Sequence, residues 1–199
     1  AELQANQTHK NQRMPFQLIQ SKLLDKNDLW ATYEKALNRF GEDQYQALQP
    51  LIIEQDIPTL QSHIKSGLLS YEKLTLFYLY RIRKLESDSN KTLNAILSLN
   101  PMVIEQAKAK DRNRNTQQHP IFGMPILLKD NINTQDMPTT AGAAFLQSHV
   151  PDNDAYIVSQ LQAKGALILG KVNLSEWAYY FCDGCPLGYS AVGGQTLNP

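Results

Sequence analysis

Two short apolar runs, Ile121 to Leu128 and Ala166 to Leu169, restrict the fold of this chain more than any other feature in it. A strand that alternates apolar and polar residues can leave one face in water. A strand that is apolar on both faces needs cover above and below. Between the runs, Asp152 or Asp154 stands where a cap is needed for a helix of about ten residues ending at Gly165. Strand, helix and apolar strand in that order make a βαβ unit, and hence a parallel sheet with helices packed on its faces. The predicted class is α/β.

Helical spacing recurs upstream. Leu29, Trp30, Tyr33, Leu37, Phe40 and Tyr45 lie at rough helical intervals in an amphipathic stretch from Asp28 to Leu48. Ile57 to Ser66 reads as a short helix, with Pro58 in its first turn and Gly67 near its end. Ser70 is placed to cap a helix through Leu85, in which Leu74, Phe77, Tyr78, Arg81, Ile82 and Leu85 share one face. Thr92 to Leu99 reads as a strand, Pro101 opens a helix through Arg112, and Asn113 to His119 is a polar linker. Ala1 to Arg13 is polar throughout most of its length and reads as a mobile end. The expected division is a helical or mobile extension over residues 1–50, followed by the beginning of the α/β domain over residues 51–199.

At 199 residues and 42% hydrophobic, the chain can bury one sizeable core. Its formal net charge of +0 gives no reason to expect nucleic acid or an anionic membrane as partner, and no apolar run is long enough for a membrane span. The Ala-Glu-Leu-Gln start suits a mature exported chain or a trimmed one, and a periplasmic or secreted setting is the expectation. His9, His63, His119 and His149 lie in polar contexts without metal-like spacing. Cys182 and Cys185 have no second pair with which to hold zinc; a small disulfide loop and two ordinary thiols both fit them. Neither a metal nor a cofactor is expected.

The chemistry points to Lys129. It ends the run Gly123-Met-Pro-Ile-Leu-Leu-Lys129, where apolar residues deliver a charge that is costly to bury. A lysine in such a place either snorkels to water, finds a partner, or is kept neutral, and a neutral lysine is a base. Asp130 follows directly. Consecutive strand residues point to opposite faces, so the two should diverge; an Asp130 carboxylate on the Lys129 ammonium would hold its proton and spoil it as a base.

Three other motifs compete. Gly165-Ala-Leu-Ile-Leu-Gly-Lys171-Val172 nearly spells a phosphate-binding loop, but it lacks the Ser or Thr after the lysine, and its interior reads as strand. Ser62-His-Ile-Lys65 fits a serine acyltransferase motif whose companion elements are missing, and reads as a solvated helix face. Gly188-Tyr-Ser190-Ala-Val-Gly193 misses a nucleophile elbow by one residue and reads as a glycine-rich turn.

Taken with Asn133 to Gly142, Lys164-Gly-Ala-Leu-Ile-Leu-Gly-Lys-Val-Asn-Leu-Ser-Glu-Trp-Ala178 and Gly188 to Pro199, the Lys129 segment resembles the amidase signature family, the Ser–cis-Ser–Lys amide hydrolases. The likeness begins weakly near Asp56 and becomes specific from Gly123 onward, with wording nearest the bacterial peptide amidases. Tyr189 and Val192 depart from that wording, where Trp and Arg are usual, and leave the substrate open.

The resemblance implies α/β/α layers around a mixed sheet, incomplete in this chain. It also implies hydrolysis of a linear carboxamide, such as a peptide C-terminal amide, through a serine acyl-enzyme without cofactor. Lys129 would be the triad lysine, and Lys171 structural. Both serines of the family's triad would lie beyond Pro199, on the remaining C-terminal part of the same protein. The rival expectation is a truncated, non-catalytic piece that acts only by binding a partner or that missing part.

Overall fold

The computed structural model of the chain describes residues 22–114, 118–180 and 187–198. The expectations for Ala1 to Arg13 and for Cys182 and Cys185 fall outside these residues. Helices α1 (Lys26–Trp30), α2 (Glu34–Ile52), α3 (Ile57–Lys65) and α4 (Tyr71–Glu86) come first. Strand β1 (Ile96–Leu99), helix α5 (Val103–Arg112), strand β2 (Pro125–Lys129), helix α6 (Tyr156–Ala163) and strand β3 (Leu167–Val172) follow. A two-residue pair, β4 (Tyr189–Ser190) and β5 (Gly194–Gln195), closes the order.

Local chemistry accounts for most boundaries. The Ser70 hydroxyl accepts from the Lys73 amide at 3.0 Å and starts α4, whose Leu74, Phe77 and Leu79 are fully buried. The Asp56 carboxylate caps α3 through the Thr59 amide at 2.9 Å, with proline in the first turn. The amphipathic stretch expected over Asp28 to Leu48 is divided: α1 ends at Trp30, and α2 kinks at Gly41, which has φ +67°. Tyr45 of α2 stacks on Phe77 of α4 at 4.8 Å.

The first apolar run is only partly strand. Gly123 adopts φ +71° and donates to the Gly165 carbonyl, and a Cβ there would lie 2.1 Å from the Tyr71 ring. That turn consumes Ile121 to Gly123, so pairing begins at Pro125. Nor does either aspartate cap the helix between the strands. Ala155 occupies the cap position of α6, and the Asp154 carboxylate instead accepts from the Gln135 amide at 2.9 Å, pinning the loop after β2. The strand expected from Thr92 pairs only from Ile96, just after Asn94 takes φ +52°.

The sheet has the order β1-β3-β2, with β1 antiparallel and β2 parallel to the central β3. Helices cover both faces. Leu167 and Leu169 of β3 join Ile96 and Leu99 in a core with α2 to α5, while Ile168 joins Leu128 and Val158 of α6 on the other side. This is a mixed sheet between helical layers, the expected α/β/α arrangement in partial form.

Strand β3 does not alternate to its end. Leu169 and Val172, three residues apart, pack on the same core. The register with β2 jumps from Ile168 to Gly170 across a bulge. Gly170 allows this, because a Cβ there would sit 2.3 Å from the Ser98 carbonyl oxygen of β1. Gly170→Ala should therefore destabilise the protein by about 1–3 kcal/mol, the usual cost of forcing atoms into a packed site; a thermal melt unchanged from wild type would contradict this.

Candidate functional site

Lys129 is the last residue of β2. Leu128 before it and Asp130 after it are buried, while Lys129 is exposed, so the lysine and aspartate diverge as alternation requires. By the same alternation Lys129 follows Leu127, which is 39% exposed and lines a largely apolar cleft of about 500 Å³ with Met124, Tyr78, Ile82 and Leu169. Strand β2 is thus covered on one face only, against the expectation of burial on both. It is the edge strand, and among the described residues no layer covers the face that carries Leu127 and Lys129. No ion pair or side-chain hydrogen bond reaches Lys129 among those residues either.

The lysine that the fold does bury is Lys171, at 0% exposure. The bulge at Leu169–Gly170 turns it out of the α2–α5 core and toward Asp130, itself 1% exposed, with Nζ 3.3 Å from Oδ1. Lys171 also donates to the Pro138 carbonyl at 3.1 Å and the Thr139 hydroxyl at 2.8 Å. The other Asp130 oxygen accepts from the Thr140 amide at 3.1 Å and from the Thr140 hydroxyl. Burial pushes the Asp130 carboxyl up and the Lys171 ammonium down, and the attraction between them opposes both shifts.

This cluster fixes the turn after β2. The Asp130 carbonyl accepts from the Ala141 amide, and the Thr140 hydroxyl accepts from the Gly142 amide at 2.9 Å. Gly142, at φ +82°, passes its own carbonyl to the Val192 amide of the β4–β5 turn. A Cβ on Gly142 would lie 2.6 Å from the Ser190 Cβ, so the two segments approach as closely as glycine permits.

Asn173 organises the far side of that turn. Its amide nitrogen donates to the Asn94 carbonyl at 3.0 Å and the Gly194 carbonyl at 3.1 Å, and its side-chain oxygen accepts from the Ser190 hydroxyl at 2.7 Å. Ser190 in turn accepts from the Gly193 amide at 2.9 Å. From the outside, the Leu23 and Leu24 amides donate to the Ala191 and Val192 carbonyls at 3.1 and 3.0 Å, and Leu24 packs on Leu97, Leu174 and Val192.

The competing motifs occupy structural places. Ser190 is fully buried and engaged, in a tight turn. The phosphate-loop lookalike is strand β3, and Ser62 and Lys65 are on helix α3. His63 contacts the Leu51 carbonyl, and no cluster of metal ligands occurs among the described residues. Among those residues no helix is long and apolar enough to cross a membrane. Neither the Asp130–Lys171 pair nor the Asn173 hub was foreseen from sequence. The glycine inside an apolar strand, Gly170, was the one available signal for the first.

Comparison with known proteins agrees with this geometry. The family model Amidase matches residues 73–199. A probable amidase of Arabidopsis thaliana is 40% identical over 153 residues, which are 74% of this chain and 29% of that protein. A glutamyl-tRNA(Gln) amidotransferase polypeptide of Exiguobacterium sibiricum is 36% identical over 64% of this chain and 26% of its own. Among solved structures, an amidase family protein from Bacillus anthracis superposes with TM-score 0.85 at 35% identity, over 92% of this chain and 36% of that one. The native peptide amidase of Stenotrophomonas maltophilia gives TM-score 0.68 at 43% identity, over 72% and 30%. The chain thus spans between 26% and 36% of the length of these relatives. With a family match that runs over more than half of its residues and into each segment of the site, this chain belongs to the amidase family.

Proposed function

We propose that the protein carrying this chain hydrolyses a linear carboxamide, and that Lys129 is its general base. The observation that carries this reading is the placement of Lys129. It ends β2 within the matched region, free of any carboxylate partner among the described residues, on a face that the neighbouring helices leave open. Peptide amide substrates are favoured by the 43% identity to a peptide amidase.

In this mechanism Lys129, as the free amine, takes the proton of a serine held by a cis peptide. That serine in turn takes the proton of the nucleophilic serine, whose oxygen attacks the amide carbonyl. Backbone amides hold the oxyanion, and the proton on Lys129 returns through the same relay to the leaving nitrogen as the C–N bond breaks. Water then releases the acid from the acyl-enzyme. On this reading both serines are carried outside these 199 residues, and the segment that carries them covers the open face of β2.

In the complete enzyme, Lys129→Ala should lower kcat on a simple amide by about 10²–10⁴-fold with the fold retained; a loss of less than tenfold would overturn the assignment. The 199-residue chain by itself should neither cleave an amide nor label with a fluorophosphonate, whereas stoichiometric labelling at Ser62 or Ser190 would revive a competing motif. Expressed alone, it should self-associate or unfold broadly, because an uncovered edge and an apolar cleft seek a partner. A monodisperse monomer with a sharp thermal transition would argue against a missing layer over β2.

A further inference from the structure

Lys129 and Asp130 are neighbours in sequence, so a base and a carboxylate sit within one residue of each other. Left free, the carboxylate would be the nearest anion to the Lys129 amine and would hold a proton on it. The structure uses two features to prevent this. Alternation sends Asp130 to the face opposite Lys129. The Gly170 bulge then brings Lys171 to Asp130, where Thr139 and Thr140 complete the cluster.

We propose that Lys171 is the built-in counter-ion of Asp130, and that the pair acts on catalysis by keeping this carboxylate turned away from Lys129. Lys171 and Asp130 are positioning residues, acting through Lys129 without touching substrate. The inference rests on the reading of Lys129 as base. The other charged groups around the pair are Asp136, which faces Lys171, and Asp154 beside it. Asp25 and Asp28 share a hollow with Asp130 on the side of α1. None of these is within ion-pairing distance of Lys171 among the described residues, so Asp130 is its principal anion.

The test is the pH profile of kcat/KM in the complete enzyme, whose acid limb follows the base. Lys171→Met removes the counter-ion with little change in volume. It should lower kcat at neutral pH and move the acid limb upward by about one pH unit, the effect of one added anion near the base. Adding Asp130→Asn in the same chain should return the limb to its wild-type position, because no carboxylate is left to compete. Thr140→Val, which removes the hydroxyl that donates to Asp130 and accepts from the Gly142 amide, should move the limb in the same direction by less, and it keeps the test available if Lys171→Met does not fold. An acid limb that stays in place in both single variants, or that stays shifted after Asp130→Asn is added, would overturn the proposal. Full activity in Lys129→Ala would instead overturn the base assignment on which it rests, so the two failures are distinguishable.

Discussion

One ion pair, sealed from water, sets the geometry of everything near the end of β2. Lys171 and Asp130 sit at 0% and 1% exposure, so neither can exchange its partner for solvent. Removing one member of such a pair costs about 3–5 kcal/mol, because the other is left charged and buried. The same two side chains anchor the turn through Pro138, Thr139 and Thr140, and that turn meets the β4–β5 segment through Gly142 and Val192. A disturbance at the pair therefore reaches each segment that resembles the amidase pattern. The sequence places these segments dozens of residues apart; the pair and the Asn173 hub make them one structure.

Much of the fold could be read from the chain because local rules and packing agree there. Ser70 and Asp56 cap the helices they precede, and the apolar face of α4 is the face that is buried. The readings that failed share a cause, since each depended on a long-range partner. Asp154 has the composition of a cap, yet the Gln135 amide, nineteen residues back, claims its carboxylate. Ile121 and Phe122 are as apolar as a strand requires, yet close contact with Tyr71 imposes a turn at Gly123. Burial of β2 on both faces was inferred from composition alone, which cannot say that β2 lies at the sheet edge.

The candidate site was legible in the same uneven way. Lys129 stands out because a charge after an apolar run is unusual in any soluble protein. Lys171 follows an apolar run of the same character, and nothing in its immediate neighbours tells the two apart. What separates them is a one-residue bulge in β3, which decides which face of the sheet Lys171 occupies. Register of that kind lies in backbone pairing, and Gly170 is its only mark in the sequence.

The two lysines also show how position assigns chemistry to one residue type. Strands β2 and β3 each carry a lysine at or near their ends, one register step apart, with Lys129 opposite Val172 and Lys171 opposite Leu128. Lys171 has a carboxylate at 3.3 Å, a carbonyl and a hydroxyl for its protons, and no exposure. Burial still pushes this ammonium below its usual range, with the attraction of Asp130 working against that shift. Lys129 has none of these partners among the described residues and is exposed. The buried pair thus consumes the one carboxylate next to Lys129 in the chain, and two lysines that follow similar apolar runs end in opposite settings.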